Sequence, residues 1–552
     1  MTRTTPRIVA LLVVAALVVT LAPAAPATAK APVATALKAG AGAGKTNPAK
    51  QAKLDGPTAQ LAAKVRQQLR GALTEARRTG FDVEADRVTV TVTATAGQEQ
   101  AARDAVTALG GQIQPEATAG GEISAVLDAR HLTELSRHAA VAYVRRPEIT
   151  VTEGTPGEGV KATRANRWHR NGLRGRGVKV AIIDNGFAGL AAAQRSGDLP
   201  SNVEIRSFCP SGINGTNHGT AVAEIVHEMA PRAKLFLICQ GGGVAAFRNA
   251  MDYAYNRGVR VVNFSVAVPP TSRGDGTTTS LSTYEGVVKQ ATRRGMLLVA
   301  SAGNYGQVHW TGGTVDSDSD WWLEFGGGDE LNDFTLAAGA TAYIWLKWDE
   351  WPGTTNDYDL FLFANGQQVT KSASTQSAAA PGAPVETIVY RNTSSSAVRF
   401  SVAIQRYYAA PTRRFDLYVY GTSQLEHRVR KSSVIDPASF KPTLAVGAAC
   451  VFNRNLASYS AFGPSVAGTI KPDITAPDSV GGRSYGRSSG CGTGFTGTSA
   501  ASPHVAGAAA LWLQAYPRLS VDRLRSALTS YAAPDGPRGK DNRFGSGHLR
   551  LP

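Results

Sequence analysis

The chain has 552 residues, a formal net charge of +16 and 43% hydrophobic residues, which allows several domains and more than one apolar core. With 58 glycines and only 18% charged residues, the composition excludes a charged disordered chain and suits a compact protein with many tight turns. The Lys and Arg residues are scattered and no zinc-finger or RRM-type motif accompanies them, so the basic balance reads as solubility and excludes a nucleic-acid partner.

The N-terminus carries an export pattern. Arg3 and Arg7 form a short basic region, Ile8 to Ala22 is almost wholly apolar, and Pro26-Ala27-Thr28-Ala29 supplies small residues for cleavage. The apolar run is too short for a stable anchor and ends in a small-residue exit, so residues 1–29 read as a signal peptide and the protein as secreted, extracellular and without a stable membrane anchor. Export favours disulfides among Cys209, Cys239, Cys450 and Cys491. Of the three pairings four cysteines permit, Cys209–Cys239 and Cys450–Cys491 are expected, each pair being close in sequence and flanking one candidate catalytic segment.

Residues 30–79 read as a linker followed by a helix: 30–56 are rich in Ala, Gly, Lys and Pro, and Leu61, Val65, Leu69 and Leu73 then recur every four residues over 57–79. Residues 80–150 form a small α+β unit. Val88 to Val92 alternates as a strand, Gln98 to Leu109 is a helix stopped by Gly110-Gly111, Ile123 to Leu127 is a strand, Arg130 to Arg137 a helix and Val141 to Val144 a strand. Counting Gln112 to Gln114 as a strand gives β-α-β-β-α-β, the ferredoxin-like arrangement.

From Gly175 the character changes. Val178 to Ile183, Lys234 to Ile238, Val259 to Phe264 and Met296 to Ala300 are apolar, β-branched runs separated by helical stretches such as Val244 to Arg257 and Tyr284 to Arg294. Buried strands alternating with helices predict an α/β fold with a doubly wound, mostly parallel sheet over 151–310. Residues 311–431 then read as an inserted all-β sandwich, with short strands from Phe334 to Trp348, Tyr358 to Phe363, Thr387 to Tyr390, Val398 to Ile404 and Phe415 to Tyr420. The α/β pattern returns over 432–552.

Four residues answer to the parts that amide hydrolysis needs: a nucleophile, a base, a group to orient the base and donors for the oxyanion. Asp184 ends a buried strand, where catalytic groups of such sheets gather. His218 stands near the start of a small-residue helix, Ala221 to Val226. Ser499 opens another helix, so its own N–H is free of helical bonding. Asn304 follows the strand that ends at Ala300 and offers a side-chain amide. His227 and His504 are the rival bases, each inside a helix and better suited to packing.

The runs Ala181-Ile182-Ile183-Asp184-Asn185-Gly186, His218-Gly219-Thr220-Ala221-Val222-Ala223, Ala302-Gly303-Asn304 and Gly497-Thr498-Ser499-Ala500-Ala501-Ser502-Pro503-His504, with Lys471 to Pro477, resemble those of the subtilisin-like serine proteases (subtilases) over about 160–310 and 432–550. The resemblance implies a secreted serine endopeptidase with Asp184, His218 and Ser499 as catalytic triad and Asn304 at the oxyanion. It implies peptide contacts at Ser265, Val266, Ala267, Ala302 and Gly303, protein or peptide substrates, and residues 80–150 as a pro-domain that inhibits its own catalytic domain until cut within 146–160. A glycine is typical of the family where Ala267 stands, and the extra methyl is expected to narrow the specificity pocket.

No cofactor is required for this chemistry, and the chain reads as a monomer. Asp316, Asp318 and Asp320 alternate near the insertion boundary and are a candidate structural calcium site. The alternative reading is a non-catalytic or wall- and carbohydrate-binding protein on the same scaffold, using Trp310, Trp321, Trp322, Trp345, Trp348 and Trp351 as stacking faces.

Overall fold

The computed structural model describes residues 53–552 apart from Gly80, 115–120, 148–150, 153–157, Ser211, 378–381 and 410–411; the signal peptide read at 1–29 and almost all of the lead-in lie outside the described residues. The first element, α1 (Gly56–Val65), has Pro57 in its first turn and is capped by Asp55, whose Oδ1 accepts from Thr58 N at 2.9 Å. The unbroken helix expected over 57–79 is two helices. Gln68 is extended (φ −154°, ψ 94°) and starts α2 (Leu69–Arg78). The four-residue spacing continues across the break because both helices turn apolar residues onto one core.

That core is completed by β1 (Val83–Glu84), β2 (Arg87–Ala94), α3 (Glu99–Ala108), β3 (Gln112–Ile113), β4 (Glu122–Asp128), the short helix Leu132–Arg137 and β5 (Val141–Arg145). The sheet runs β1-β2-β4-β3, with β5 paired to β2. The central strand reads Val-Thr-Val-Thr-Val, and its valines are fully buried against the helices. A two-residue strand, β6 (Val151–Thr152), follows.

The parallel layer begins with β7 (Lys179–Asp184), β8 (Glu204–Ser207), α4 (His218–Met229), β9 (Lys234–Cys239), α5 (Gly243–Asn256), β10 (Val261–Phe264), the short β11 (Val266–Ala267), α6 (Tyr284–Arg293) and β12 (Leu297–Ser301). The chain then builds two four-stranded antiparallel sheets from β13 (His309–Gly313), β14 (Asn332–Leu336), β15 (Thr341–Trp348), β16 (Asp357–Ala364), β17 (Gln367–Ser372), β18 (Val385–Arg391), β19 (Val398–Tyr408) and β20 (Arg414–Tyr420). Their orders are β13-β20-β15-β18 and β14-β19-β16-β17. Residues such as Leu346, Trp348, Leu360, Val402, Ile404 and Leu417 share one core. The stretch expected as one strand over 334–348 divides at Ala337-Ala338-Gly339-Ala340, where Gly339 takes φ +71°.

The chain returns to the parallel layer with β21 (Leu444–Cys450), β22 (Ile474–Asp478), α7 (Thr498–Ala515) and α8 (Val521–Ser530). Seven parallel strands stand in the order β22-β21-β12-β10-β7-β9-β8. Alternate residues serve opposite faces: Val180, Ile182, Leu235 and Leu237 pack with α4 and α7, while Ala181, Ile183, Phe236 and Ile238 pack with α5 and α6. The expected doubly wound parallel sheet is therefore present. The pairs Cys209–Cys239 and Cys450–Cys491 are disulfide-bonded. Among the described residues no helix is long and apolar enough to cross a membrane.

The two-sheet unit touches both of its neighbours. Against the parallel layer, Trp345 and Tyr418 join Ala267, Ala300, Ala302, Tyr305, Ile435 and Ala445 in one apolar cluster. Tyr305 meets the Tyr418 ring edge-on at 5.4 Å. Against the N-terminal unit the contact is polar: Gly56 N donates to Ser374 Oγ at 3.0 Å, Gln60 Nε2 donates to the Lys371 carbonyl, and the Tyr143 hydroxyl bonds Ser374.

Candidate active site

Asp184 closes β7 at the carboxyl end of the sheet, where its backbone leaves the ladder and its side chain can turn inward. It is fully buried. Its Oδ1 accepts from Asn185 N at 2.8 Å, and its Oδ2 lies 2.7 Å from His218 Nδ1. A buried carboxylate on Nδ1 fixes the imidazole orientation and directs Nε2 outward as the basic nitrogen.

His218 is the first residue of α4. Glycines at 186 and 219 let it approach Asp184. A Cβ on Gly219 would lie 2.8 Å from Asp184 Cβ and 2.5 Å from the Gly186 carbonyl oxygen, and a Cβ on Gly186 would lie 2.3 Å from Thr216 N. The His218 ring stands edge-on to Phe495 at 5.7 Å, and Tyr485 stacks on the same phenylalanine at 5.8 Å. Burial, and then the charges of Asp184 and Glu224, push the Tyr485 hydroxyl up to about 12.

Ser499 is the second residue of α7 and is fully buried. Its Oγ donates to the Ser265 carbonyl at 2.9 Å. The helix has Pro503 four residues on. Proline has no N–H, so the Ser499 carbonyl lacks its usual helical donor. Ser265 Oγ supplies one at 3.3 Å and is itself held by Ser502 Oγ at 2.7 Å and Asn263 Nδ2 at 2.9 Å. The Pro in the motif thus ties the start of the helix to the chain beside β11.

Asn304 reaches the same helix start. Its Oδ1 accepts from Thr498 N and Thr498 Oγ1, both at 3.0 Å, and Thr498 Oγ1 accepts from Gly303 N at 3.1 Å. Anchoring Oδ1 sets the amide plane, with Nδ2 as its donor end. Residues 304 and 499 thus stand one residue apart in space although the two-sheet unit lies between them in sequence.

The remaining positions divide. Val266 and Ala267 form β11, which pairs antiparallel with Thr152 and Val151 of β6. The carbonyls of Ala302 and Gly303 accept from Ile435 N at 3.2 Å and Ala461 N at 2.8 Å. His504 is fully buried, with Nδ1 on the Ala500 carbonyl at 2.8 Å, and burial pushes its pKa down to about 4; it packs inside α7.

Carboxylate oxygens of Asp316, Asp318 and Asp320 lie within 4.8 Å of one another. The Arg406 guanidinium already holds Asp316 at 2.6 Å, which supplies locally the charge a cation would bring. Four of the six tryptophans considered as stacking faces, Trp310, Trp322, Trp345 and Trp348, are buried, and the Arg406 guanidinium lies 4.9 Å over Trp321.

Sequence reasoning missed Asp478, Phe495, Tyr485 and Asn217. Asp478 ends β22 and accepts from Gly497 N at 2.6 Å, positioning the turn into α7. The rule that selected Asp184, an acid where a buried strand stops, selects Asp478 too. Asn217 Oδ1 accepts from the Tyr485 hydroxyl at 2.7 Å. Nothing local marks Phe495, Tyr485 or Asn217.

A model described as the subtilase family matches residues 175–424 and 426–547. The chain is 28% identical over 199 residues to an alkaline protease of Alkalihalobacillus alcalophilus, covering 33% of this chain and 49% of that protein. It is 28% identical over 227 residues to subtilisin E of Bacillus subtilis (strain 168), covering 37% and 55%. The chain spans about half the length of the curated relatives it matches. Among solved structures it is similar to the CspB protease of Clostridium perfringens, with a TM-score of 0.46, 16% identity, and 71% of this chain and 97% of that chain covered.

Proposed function

The chain belongs to the subtilase family, and from that premise we propose that it is a secreted serine endopeptidase acting on proteins or peptides through an acyl-enzyme. The observations that support this reading are the buried Asp184–His218 pair and, at the start of the helix that carries Ser499, the anchoring of Thr498 by Asn304.

His218 Nε2 takes the Ser499 Oγ proton as Oγ attacks the peptide carbonyl carbon. Asp184 orients the ring and stabilises the imidazolium. The Ser499 N–H and the Asn304 amide donate to the oxyanion of the tetrahedral intermediate. Collapse breaks the C–N bond, and the amine leaves with the proton from His218. Water, deprotonated by His218, then attacks the Ser499 ester and releases the acid.

In this reading 151–310 and 432–552 form the catalytic domain, 311–431 an inserted β-sandwich, and 80–150 an inhibitory pro-domain. The backbone pairing of β6 with β11 supports the last assignment, because it leads the chain that leaves β5 onto the edge beside Ser265, whose carbonyl holds Ser499 Oγ.

The test compares the secreted protein with its Ser499→Ala variant on casein, with fluorophosphonate labelling in parallel. Cleavage and labelling should both require Ser499, with turnover falling by more than about 10⁴-fold in the variant. Correctly processed wild type that neither labels nor cleaves overturns the proposal.

A further inference from the structure

Thr152 and Val151 pair with Val266 and Ala267, so a peptide that continued this pairing would reach Ser265, whose carbonyl holds Ser499 Oγ. Its attacked carbonyl would then stand between the Ser499 N–H and Asn304. The side chain on the acyl side of that carbonyl would enter the gap between two rails, Val266 to Val268 on one side and Ala302 to Gly303 on the other.

In this chain a third segment fills the gap. Val268 N donates to the Asp436 carbonyl at 3.1 Å, and Ile435 N donates to the Ala302 carbonyl at 3.2 Å, so residues 435–436 bond to both rails. The Ile435 side chain is 2% exposed and shares one apolar cluster with Ala267 and Ala302. Its Cγ2 lies where a Cβ on Gly303 would approach to 2.7 Å, at a φ of +103°. Trp345 and Tyr305 are buried in the same cluster, so the isoleucine is packed together with the seam to the two-sheet unit. A branched side chain in a close-packed site has no spare volume to yield.

We propose that Ile435 is the specificity-determining residue of the site. With the Ala267 methyl opposite, it leaves room for glycine or alanine on the acyl side of the cleaved bond and excludes leucine, phenylalanine, tyrosine and lysine. The inference rests on the peptidase reading and narrows its substrate class to proteins cut after small residues. A single methylene in such a pocket changes the specificity constant by about 10–200-fold, and leucine carries three more carbons than alanine.

The experiment uses the secreted protein and a matched series of internally quenched peptides that differ at one residue (Gly, Ala, Leu, Phe or Lys), with fluorophosphonate titration to count reactive Ser499. Per reactive site, kcat/KM for Ala or Gly should exceed that for Leu, Phe and Lys by at least about 100-fold. Ile435→Ala should raise cleavage after Leu at least tenfold relative to Ala, and Ile435→Gly should extend the gain to Phe. Should Ile435→Gly fail to fold, Ile435→Ala carries the test. Wild type that cleaves after Leu, Phe or Lys as fast as after Ala, or an Ile435→Ala profile identical to wild type, overturns the inference while leaving the peptidase reading standing. Absence of Ser499-dependent labelling and of all cleavage overturns the peptidase reading itself, and this inference with it.

Discussion

The two-sheet unit meets its neighbours through two contacts of opposite character. Towards the parallel layer it presents an aromatic seam, with Trp345 and Tyr418 closed over Tyr305 and a floor of alanines, and with Lys347, Asp416 and Asp436 buried as well. Towards the N-terminal unit its hydrogen-bonding groups are the Lys371 carbonyl, Ser374 and the buried Glu386 behind Ser374, and Ile388 and Val389 line a small cavity shared with Leu61, Ala72 and Ala76. Permanent interfaces resemble a core cut in half, whereas separable ones are more polar. One surface of this unit is thus suited to stay joined and the other to part, in line with the proposed pro-domain role of the N-terminal unit.

The largest effect is expected at the seam. Trp345→Ala removes a fully buried indole and should cost about 3–5 kcal/mol of stability, read as a fall in the calorimetric Tm of the full chain. A loss under about 1 kcal/mol would mean that the seam is not what holds the unit in place.

A smaller effect is expected at the polar contact. Ser374→Ala leaves Gly56 N buried without its acceptor and should cost about 1–3 kcal/mol of docking. Hydrogen exchange should rise in α1 and α2 while the seam keeps its protection. If Ser374→Ala instead destabilises the whole chain as much as Trp345→Ala, the distinction between the contacts collapses.

The smallest effect is one of pH. Burial raises the Asp55 carboxyl above its ordinary value, against the opposing charge of Arg146. The docked state therefore binds the proton more tightly than the free state. Its contribution to docking is full below the ordinary carboxylate pKa and is lost as pH rises through the raised one. Protection in α1, corrected for the intrinsic pH dependence of exchange, should accordingly fall as pH rises across that window, and protection at the seam should not respond. Asp55→Asn keeps an Asn cap on α1 and should flatten the dependence; a slope unchanged in that variant assigns it to another group.

Much of the parallel layer is legible in the sequence because its strands are buried on both faces and so read as unbroken β-branched runs, as in Val180 to Ile183. Asp184, His218 and Ser499 stand where those runs stop or a helix begins, so chain order alone presents them as candidates. What was not legible depends on contacts between distant segments. The α1–α2 break is silent because Val65 and Leu69 keep one spacing across it. Phe495 is an ordinary loop aromatic until it meets His218, and Tyr485 until it stacks on Phe495. Ile435 is an ordinary apolar residue until the Ala302 carbonyl and Gly303 are seen against it.

The two-sheet unit begins and ends on adjacent strands: His309 of β13 pairs with Tyr418 of β20. Its entrance and exit therefore lie side by side. Before that unit collapses, more than a hundred residues separate β12 from β21, which must pair directly for the parallel sheet to close. Once it has collapsed, those residues count in the closure entropy as little more than a short tether. The seven-stranded sheet can then assemble about as readily as one with an ordinary loop at this position.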